Sequence, residues 1–387
     1  MIAATPRPPR RPARARRALA ACATPILFGA AILAATAVTG TGAGQGRAHA
    51  PDRELEGLLT SALAEMPATT GVAVTHLASG RSAAVRGDQA FSPASVSKLP
   101  YLVRAIQMAE RGELDLSRRT TLTRAHLRHG TGILQYHDAG LAPTLGDLVT
   151  EMVITSDNTA TDLVVDAMGG VDAVNAWLTA SGFAETQSFG RPDAYRRALL
   201  TLLDPAFATL TAEETTGLLY TMDGSPLGAH YLPIFSGARA RWIAVVTGPA
   251  NRRRFAEERD RRTSSDRAFW LGVTTPAATA RLLEAIERCT LTTPTGCERM
   301  RQTLRRQQLG TRRLPHYLDV PVGHKTGDGG RIANDVGIIY GRSGPIVVAF
   351  FANGITEPMA VFEDRIGRLG QRLVAHLSRL PSAPVAH

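Results

Sequence analysis

Apolar positions recur with helical spacing over residues 53–66, where Leu55, Leu58, Leu59, Leu63 and Met66 fall on one face. Next, residues 70–77 and 82–85 read as strands around a Ser79-Gly80 turn, a hairpin signal. A second hairpin is predicted near the other end, pairing residues 335–340 with 346–352 around Gly341-Arg342-Ser343-Gly344. A long helix over 359–380 follows, aligning Val361, Phe362, Ile366, Leu369 and Leu373. Helix and hairpin thus occur at both termini. The simplest packing is an α/β (α+β) fold: one mixed layer, mainly antiparallel sheet with terminal helices, built from the two ends around an all-helical region.

The middle of the chain supplies those helices. Residues 96–110 place apolar side chains at 96, 99, 103 and 106, with Gly112 as a stop and Pro100 predicting a kink. Helices at 145–154 and 159–168 flank Ser156-Asp157-Asn158, and Thr275-Pro276-Ala277 opens another with proline in its first turn. Residues 195–268 break this regularity with an apolar run at 242–247 and an Arg/Glu-dense run at 251–267. They are expected to form an insertion, an exposed helical arm or lid whose charge run is a solvated face.

Composition changes the picture at one end only. The net charge is +10, but residues 1–50 hold seven arginines and no acid, which leaves +3 for the remainder. No Gly-rich phosphate loop and no basic patch interleaved with aromatics is present, so no nucleotide or nucleic-acid partner is expected. An Arg-rich start, an apolar stretch over 18–38 and Ala48-His49-Ala50 together read as a secretory signal, with an uncleaved anchor as the alternative. Residues 1–50 are therefore expected to be a signal peptide or membrane anchor with linker, 51–380 the folded domain and 381–387 a tail. Membrane contact is expected only through 18–38, in a protein exported to the periplasm or medium. Export in turn predicts a disulfide between Cys289 and Cys297.

Candidate chemistry lies in three short motifs: Ser95-Val96-Ser97-Lys98, Ser156-Asp157-Asn158 and Lys325-Thr326-Gly327. On a helix, Ser95 and Lys98 lie three residues apart on one face, so the amine can reach the hydroxyl. Burial and a second cation, for which Lys325 is the candidate, would lower the Lys98 pKa far enough for it to act as a base. A helix N-terminus under Ser95 supplies amide donors for an oxyanion. Short polar side chains at 156–158 suit a turn between helices, with Asp157 accepting backbone donors.

In this order, with Pro93-Ala94 before the serine, Leu99-Pro100 after the first lysine and His324 before the second, the motifs resemble the site of serine β-lactamases and penicillin-binding proteins. The pattern is similar to that of class A β-lactamase-related serine hydrolases over roughly residues 52–190 and 270–379. The resemblance implies a β-lactamase/transpeptidase-like fold and an acyl-Ser95 intermediate, with Ser95, Lys98, Ser156 and Lys325 catalytic and no cofactor. It implies that Ser156 relays a proton toward the leaving nitrogen and that Asn158 holds the substrate's amide side chain. Lys325 and Thr326, on a strand bordering the cleft, would bind its carboxylate, and Gly327 would let it approach closely. The Asp328 N–H would complete the oxyanion hole with that of Ser95. The implied substrate is a β-lactam or a peptidoglycan-like peptide. The alternatives to β-lactam hydrolysis are a D,D-peptidase or amidase and a sensor that is acylated without turnover.

The sequence departs from the class A pattern in two places. Asp328 puts a charge beside the third motif that a typical β-lactamase lacks, and the E-x-x-L-N segment with its deacylating glutamate is absent. The corresponding stretch is Phe189-Gly190-Arg191-Pro192-Asp193-Ala194-Tyr195, leaving Asp193 as the nearest carboxylate and Glu185 as a weaker candidate. Without that base an acyl-enzyme forms and decays slowly. His126, His129 and His137 suggest metal ligands by spacing, but no cysteine or clear carboxylate completes a set, and no metal is expected.

Overall fold

The computed structural model describes residues 49–378, so the apolar stretch at 18–38 and the tail at 381–387 lie outside the described residues. The strands are β1 (Ala50–Pro51), β2 (Thr69–His76), β3 (Arg81–Val85), β4 (Gln187–Ser188), β5 (Gly272–Val273), β6 (Val322–Gly329), β7 (Ile332–Gly341) and β8 (Gly344–Asn353). Six form one sheet in the order β1-β3-β2-β8-β7-β6, while β4 and β5 pair separately. Only β1 with β3 is parallel; the other neighbours in the large sheet are antiparallel.

Strand β8 shows why this sheet lies at the centre. Ile346, Val348, Phe350 and Ala352 face one way, into a core with Leu55, Leu59, Phe362 and Ile366 from the terminal helices Arg53–Ala64 and Met359–Leu377. Val347, Ala349 and Phe351 face the other way, toward Leu99, Leu102 and Leu283 of the helical region. Side chains alternate across a strand, so burial on both faces requires an unbroken apolar run. The two ends of the chain do build one layer around an inserted helical region, as the hydrophobic pattern predicts.

Boundaries differ from expectation by a few residues, with identifiable causes. The second hairpin is longer, because the ladder continues through the polar Asn334 back to Ile332, and its turn narrows to Arg342-Ser343. The helix expected from residue 96 begins as a 3-10 turn at Ala94–Ser97 and becomes α-helical over Lys98–Glu110. Pro100 therefore falls in the first α-helical turn, where its missing N–H sacrifices no intrahelical bond, and the reason for a kink disappears. Cys289 and Cys297 are joined in a disulfide with Cα atoms 5.5 Å apart.

The region 195–268 is not an arm. Leu199, Phe207, Leu218, Tyr231, Val246 and Phe255 belong to a separate apolar core, so the segment folds as a compact helical unit. Its charged helix, Pro249–Ser265, still buries Phe255 and Thr263. The unit is seated against the rest of the molecule by Tyr220 Oη donating to Gln135 Oε1 at 2.7 Å and Thr216 Oγ1 donating to the Leu127 carbonyl at 3.1 Å.

Candidate active site

Ser95 sits in the 3-10 turn that feeds the helix Lys98–Glu110. The residue before it, Ala94, is held at φ 45°, a left-handed conformation that costs about 1 kcal/mol or more for a residue with a Cβ. Asn334 on β7 maintains this turn: its Nδ2 donates to the carbonyls of Ser92 at 2.9 Å and Pro93 at 3.0 Å, and its Oδ1 accepts from Ala352 N at 3.1 Å. Gly327 faces the same turn, and a Cβ there would collide with the Pro93 carbonyl oxygen. Its missing side chain is thus required by the chain's own packing before any ligand is considered. Ser95 is half-buried, and among the described residues its hydroxyl has no hydrogen-bond partner.

Ser156 is the second non-glycine residue of the site with positive φ, at 56°. The loop Gly130-Thr131-Gly132 wraps it: Thr131 Oγ1 donates to the Ser156 carbonyl at 2.6 Å, and Asn158 N donates to the Thr131 carbonyl at 3.1 Å. Asp157 pins the loop as expected, accepting from Leu134 N and Ala160 N at 2.8 Å each. Two lysines then meet at Ser156. Lys98 Nζ donates to Ser156 Oγ at 3.1 Å, to the Ser156 carbonyl at 2.5 Å and to Asn158 Oδ1 at 3.0 Å. Lys325 Nζ, from β6, donates to the same Ser156 Oγ at 3.1 Å and to the Thr326 carbonyl at 3.0 Å.

Both lysines are fully buried. Burial, reinforced by the Lys325 charge, pushes the Lys98 amine well below the usual lysine range. Burial lowers Lys325 to about 7, against the opposing pull of Asp328 and Asp335. A charged Lys98 has three N–H donors and here meets three acceptors. Loss of one proton exposes a lone pair, and the Ser156 hydroxyl, already accepting from Lys325, is free to donate into it. The arrangement can therefore take up a proton and pass it along Ser156.

A cavity opens beside these groups, bordered by Ser95, Asn158 and Asp328, by Thr131 of the wrapping loop, and by Tyr195 and Arg196 of the helix Pro192–Leu200. A family model described as "Beta-lactamase enzyme family" matches residues 52–377. The chain belongs to that family. Among curated members, Beta-lactamase L2 of Stenotrophomonas maltophilia is 34% identical over 118 residues, which are 30% of this chain and 39% of that one. Beta-lactamase CARB-4 of Pseudomonas aeruginosa is 27% identical over 124 residues, 32% of this chain and 43% of its own. The chain thus spans about two fifths of the length of the curated relatives it matches. A beta-lactamase structure from Sphaerobacter thermophilus superposes with TM-score 0.59 at 22% identity, covering 84% of this chain and 96% of that one. The structure titled PBP-A gives 0.62 at 21%, covering 86% and 99%. These likenesses show the β-lactamase/transpeptidase fold.

Within this beta-lactamase family chain, the motif residues divide into two groups. Ser95, Asn158 and Asp328 border the cavity, while Lys98, Ser156, Lys325 and Thr326 are buried behind its wall. Thr326 departs most from expectation: its methyl lies against Gly310, and its buried Oγ1 has no partner among the described residues. Asp328 is not a free charge, because Arg313, a buried guanidinium also paired with Glu363 at 2.9 Å, bonds its carboxylate. Neither carboxylate proposed as a deacylating base borders the cavity. Asp193 lies 3.6 Å from both Arg191 Nε and Arg197 Nη1, and Glu185 pairs with Arg281 at the surface at 2.8 Å. Asp193 and Arg197, one helical turn apart, pair on one side of the helix, whereas Pro192, Tyr195 and Arg196 line the cavity. His129 Nε2 meets Asp223 at 2.6 Å, and His126 Nδ1 accepts from Thr123 N at 3.1 Å, so these rings are used within the protein.

The motifs gave no hint of Thr131, Asn334, Arg313, Tyr195 or Arg196. The one available signal was the Asn334-Asp335 pair inside an otherwise apolar strand, since a buried polar side chain needs a partner. Asp335 meets His324 Nδ1 at 2.7 Å and accepts from Leu314 N at 3.0 Å.

Proposed function

We propose that this chain is an exported serine hydrolase that opens β-lactams or related amides through an acyl-Ser95 intermediate. The observation that carries the reading is the Ser156 hydroxyl held 3.1 Å from both buried lysine nitrogens, beside a strained turn that presents Ser95 to a cavity. Neutral Lys98 takes the Ser95 proton, and Oγ attacks the carbonyl carbon. Negative charge on the carbonyl oxygen gathers at the N–H groups of Ser95 and Asp328. As the C–N bond breaks, Ser156 gives its proton to the nitrogen and is reprotonated from Lys98, which returns what it took. Charged Lys325 attracts a carboxylate on the leaving half of the substrate, with Thr326 and Gly327 forming that end of the strand. Asn158 binds the amide of the acyl half.

A second reading, slow release in the manner of a D,D-peptidase or a penicillin-binding sensor, is favoured by one observation. Among the described residues bordering the cavity the one carboxylate is Asp328, already bonded to Arg313. No other carboxylate there is available to activate the deacylating water. A mutant of PBP-A is titled as an acyl-enzyme complex with penicillin-G, and an adduct of that kind is the proposed resting product here. Export is proposed from the N-terminal pattern and is supported by the Cys289–Cys297 bridge.

With a chromogenic cephalosporin, ring opening should appear as a stoichiometric burst followed by a slow steady phase, and Ser95→Ala should abolish both. A steady rate matching the burst would reject slow release. Undiminished activity in Ser95→Ala would remove the nucleophile from the account.

A further inference from the structure

We propose that Arg196 forms an anion subsite, so that the preferred substrate carries a second carboxylate on its acyl half. This deepens the acyl-Ser95 reading above and rests on it. Arg196 lies on the cavity face of the helix Pro192–Leu200. Its Nη2 occupies the space where a side chain on Gly130 would begin, and Asn158 Nδ2 lies only 2.7 Å from that same point. Gly130, at φ 118°, is the residue whose missing Cβ admits the guanidinium.

Among the described residues this half-buried guanidinium has no hydrogen bond and no ion pair. The neighbouring carboxylates are occupied: Asp193 with Arg191 and Arg197, Asp223 with His129 at 2.6 Å, and Asp260 with Arg259 at 2.8 Å. A planar cation with five donors, partly removed from water and left without an anion, is costly unless a ligand supplies one. Its fork matches a carboxylate in particular. Asn158 helps, because its Nδ2 gives one hydrogen to the His129 carbonyl at 3.1 Å and retains another.

The position decides which half of the substrate carries the anion. Lys325 comes from β6 and serves the leaving half in the proposed mechanism. Arg196 comes from a different wall, beside the amide of Asn158 that holds the acyl half. A carboxylate bound there belongs to the acyl group and stays on Ser95 after the leaving group departs. Two sources offer that chemistry: a β-lactam with an acidic side chain, or a D-alanyl-D-alanine peptide with a free acidic residue upstream.

The test measures second-order acylation of Ser95 in the full chain, by intact mass over time, with two matched pairs of probes. One pair is benzylpenicillin and its α-carboxy derivative. The other is two D-alanyl-D-alanine-terminated peptides that differ only in a side-chain carboxylate against its carboxamide. Arg196→Ala and Arg196→Gln should slow the carboxylated member about ten- to a hundredfold, the range for one hydrogen bond to a charged group. The neutral member should stay within about twofold, which also reports an intact fold. Arg196→Lys should recover part of the loss, as a point charge without the fork. An effect confined to one pair identifies the source. Equal slowing of both members overturns the subsite, because Arg196 would then act through the Lys98 proton equilibrium, and so does no slowing at all. If no probe acylates the wild-type protein, the acyl-Ser95 reading fails and this inference falls with it.

Discussion

Ser156 Oγ is a short bridge between two amines that cannot both stay charged cheaply. With each nitrogen 3.1 Å from Ser156 Oγ, two unit charges there would be at most about 6 Å apart and repel by roughly 3 kcal/mol or more at an effective dielectric near 20, about a hundredfold in a proton equilibrium. Desolvation acts in the same direction on both. In the proposed mechanism the two lysines have opposite needs: Lys98 would act when neutral, and Lys325 would attract a carboxylate when charged. Lys325 loses its charge as pH rises through about 7. For a substrate with a carboxylate on the leaving half, kcat/KM should therefore fall above that pH, by up to about tenfold per pH unit. Lys325→Arg stays charged throughout, so its pH–rate profile should lose this alkaline fall even if its absolute rate is lower. The same fall in both proteins would show that Lys325 is not the titrating group. Ser95 and the two lysines stood out in the sequence because each belongs to a motif of only three or four residues. Arg196 and Asn334 were not, because an arginine on a helix or an asparagine in a strand acquires meaning only from partners far away in sequence.

Elements carry these side chains under tight steric terms. Gly132, at φ 108°, faces Asp157 so closely that a Cβ would overlap its carboxylate and its Cα. Gly132→Ala should destabilise the fold by about 2 kcal/mol or more, from left-handed strain plus that overlap, read as a lower urea midpoint with unchanged slope. A midpoint unchanged from wild type would mean that the loop relaxes freely and does not hold Ser156. The strands were readable because β8 alternates between two cores and the glycine turns punctuate the hairpins. The start of the helix after Ser95 was less so, since the 3-10 turn there is imposed by Asn334 and Gly327 from the sheet and not by helix propensity. The facing of Asp193 was missed for a related reason: position along the chain identifies the right helix, but only its packing decides which side turns to the cavity.

The cavity beside the strained Ser95 turn is bordered by residues of the sheet, of the helical region and of the helix Pro192–Leu200. The helical unit at 195–268 supports the site indirectly. Tyr220 bonds Gln135, whose Nε2 donates to the Gly130 and Gly132 carbonyls, and Thr131 between them holds Ser156. Its own core was foreshadowed only by an apolar run in a region otherwise dense in charge, which resembled a solvated arm because the contacts that bury Phe255 come from other helices of the unit. In the proposed function this convergence makes Ser95 acylable and leaves the acyl product to decay slowly. Intact mass of the full chain after mixing with a cephalosporin tests it most directly. The expected adduct persists after free substrate is removed, maps to the peptide bearing Ser95 and is missing from Ser95→Ala. An adduct that still forms in Ser95→Ala, or a wild-type protein that never gains mass while the substrate is consumed, would contradict it.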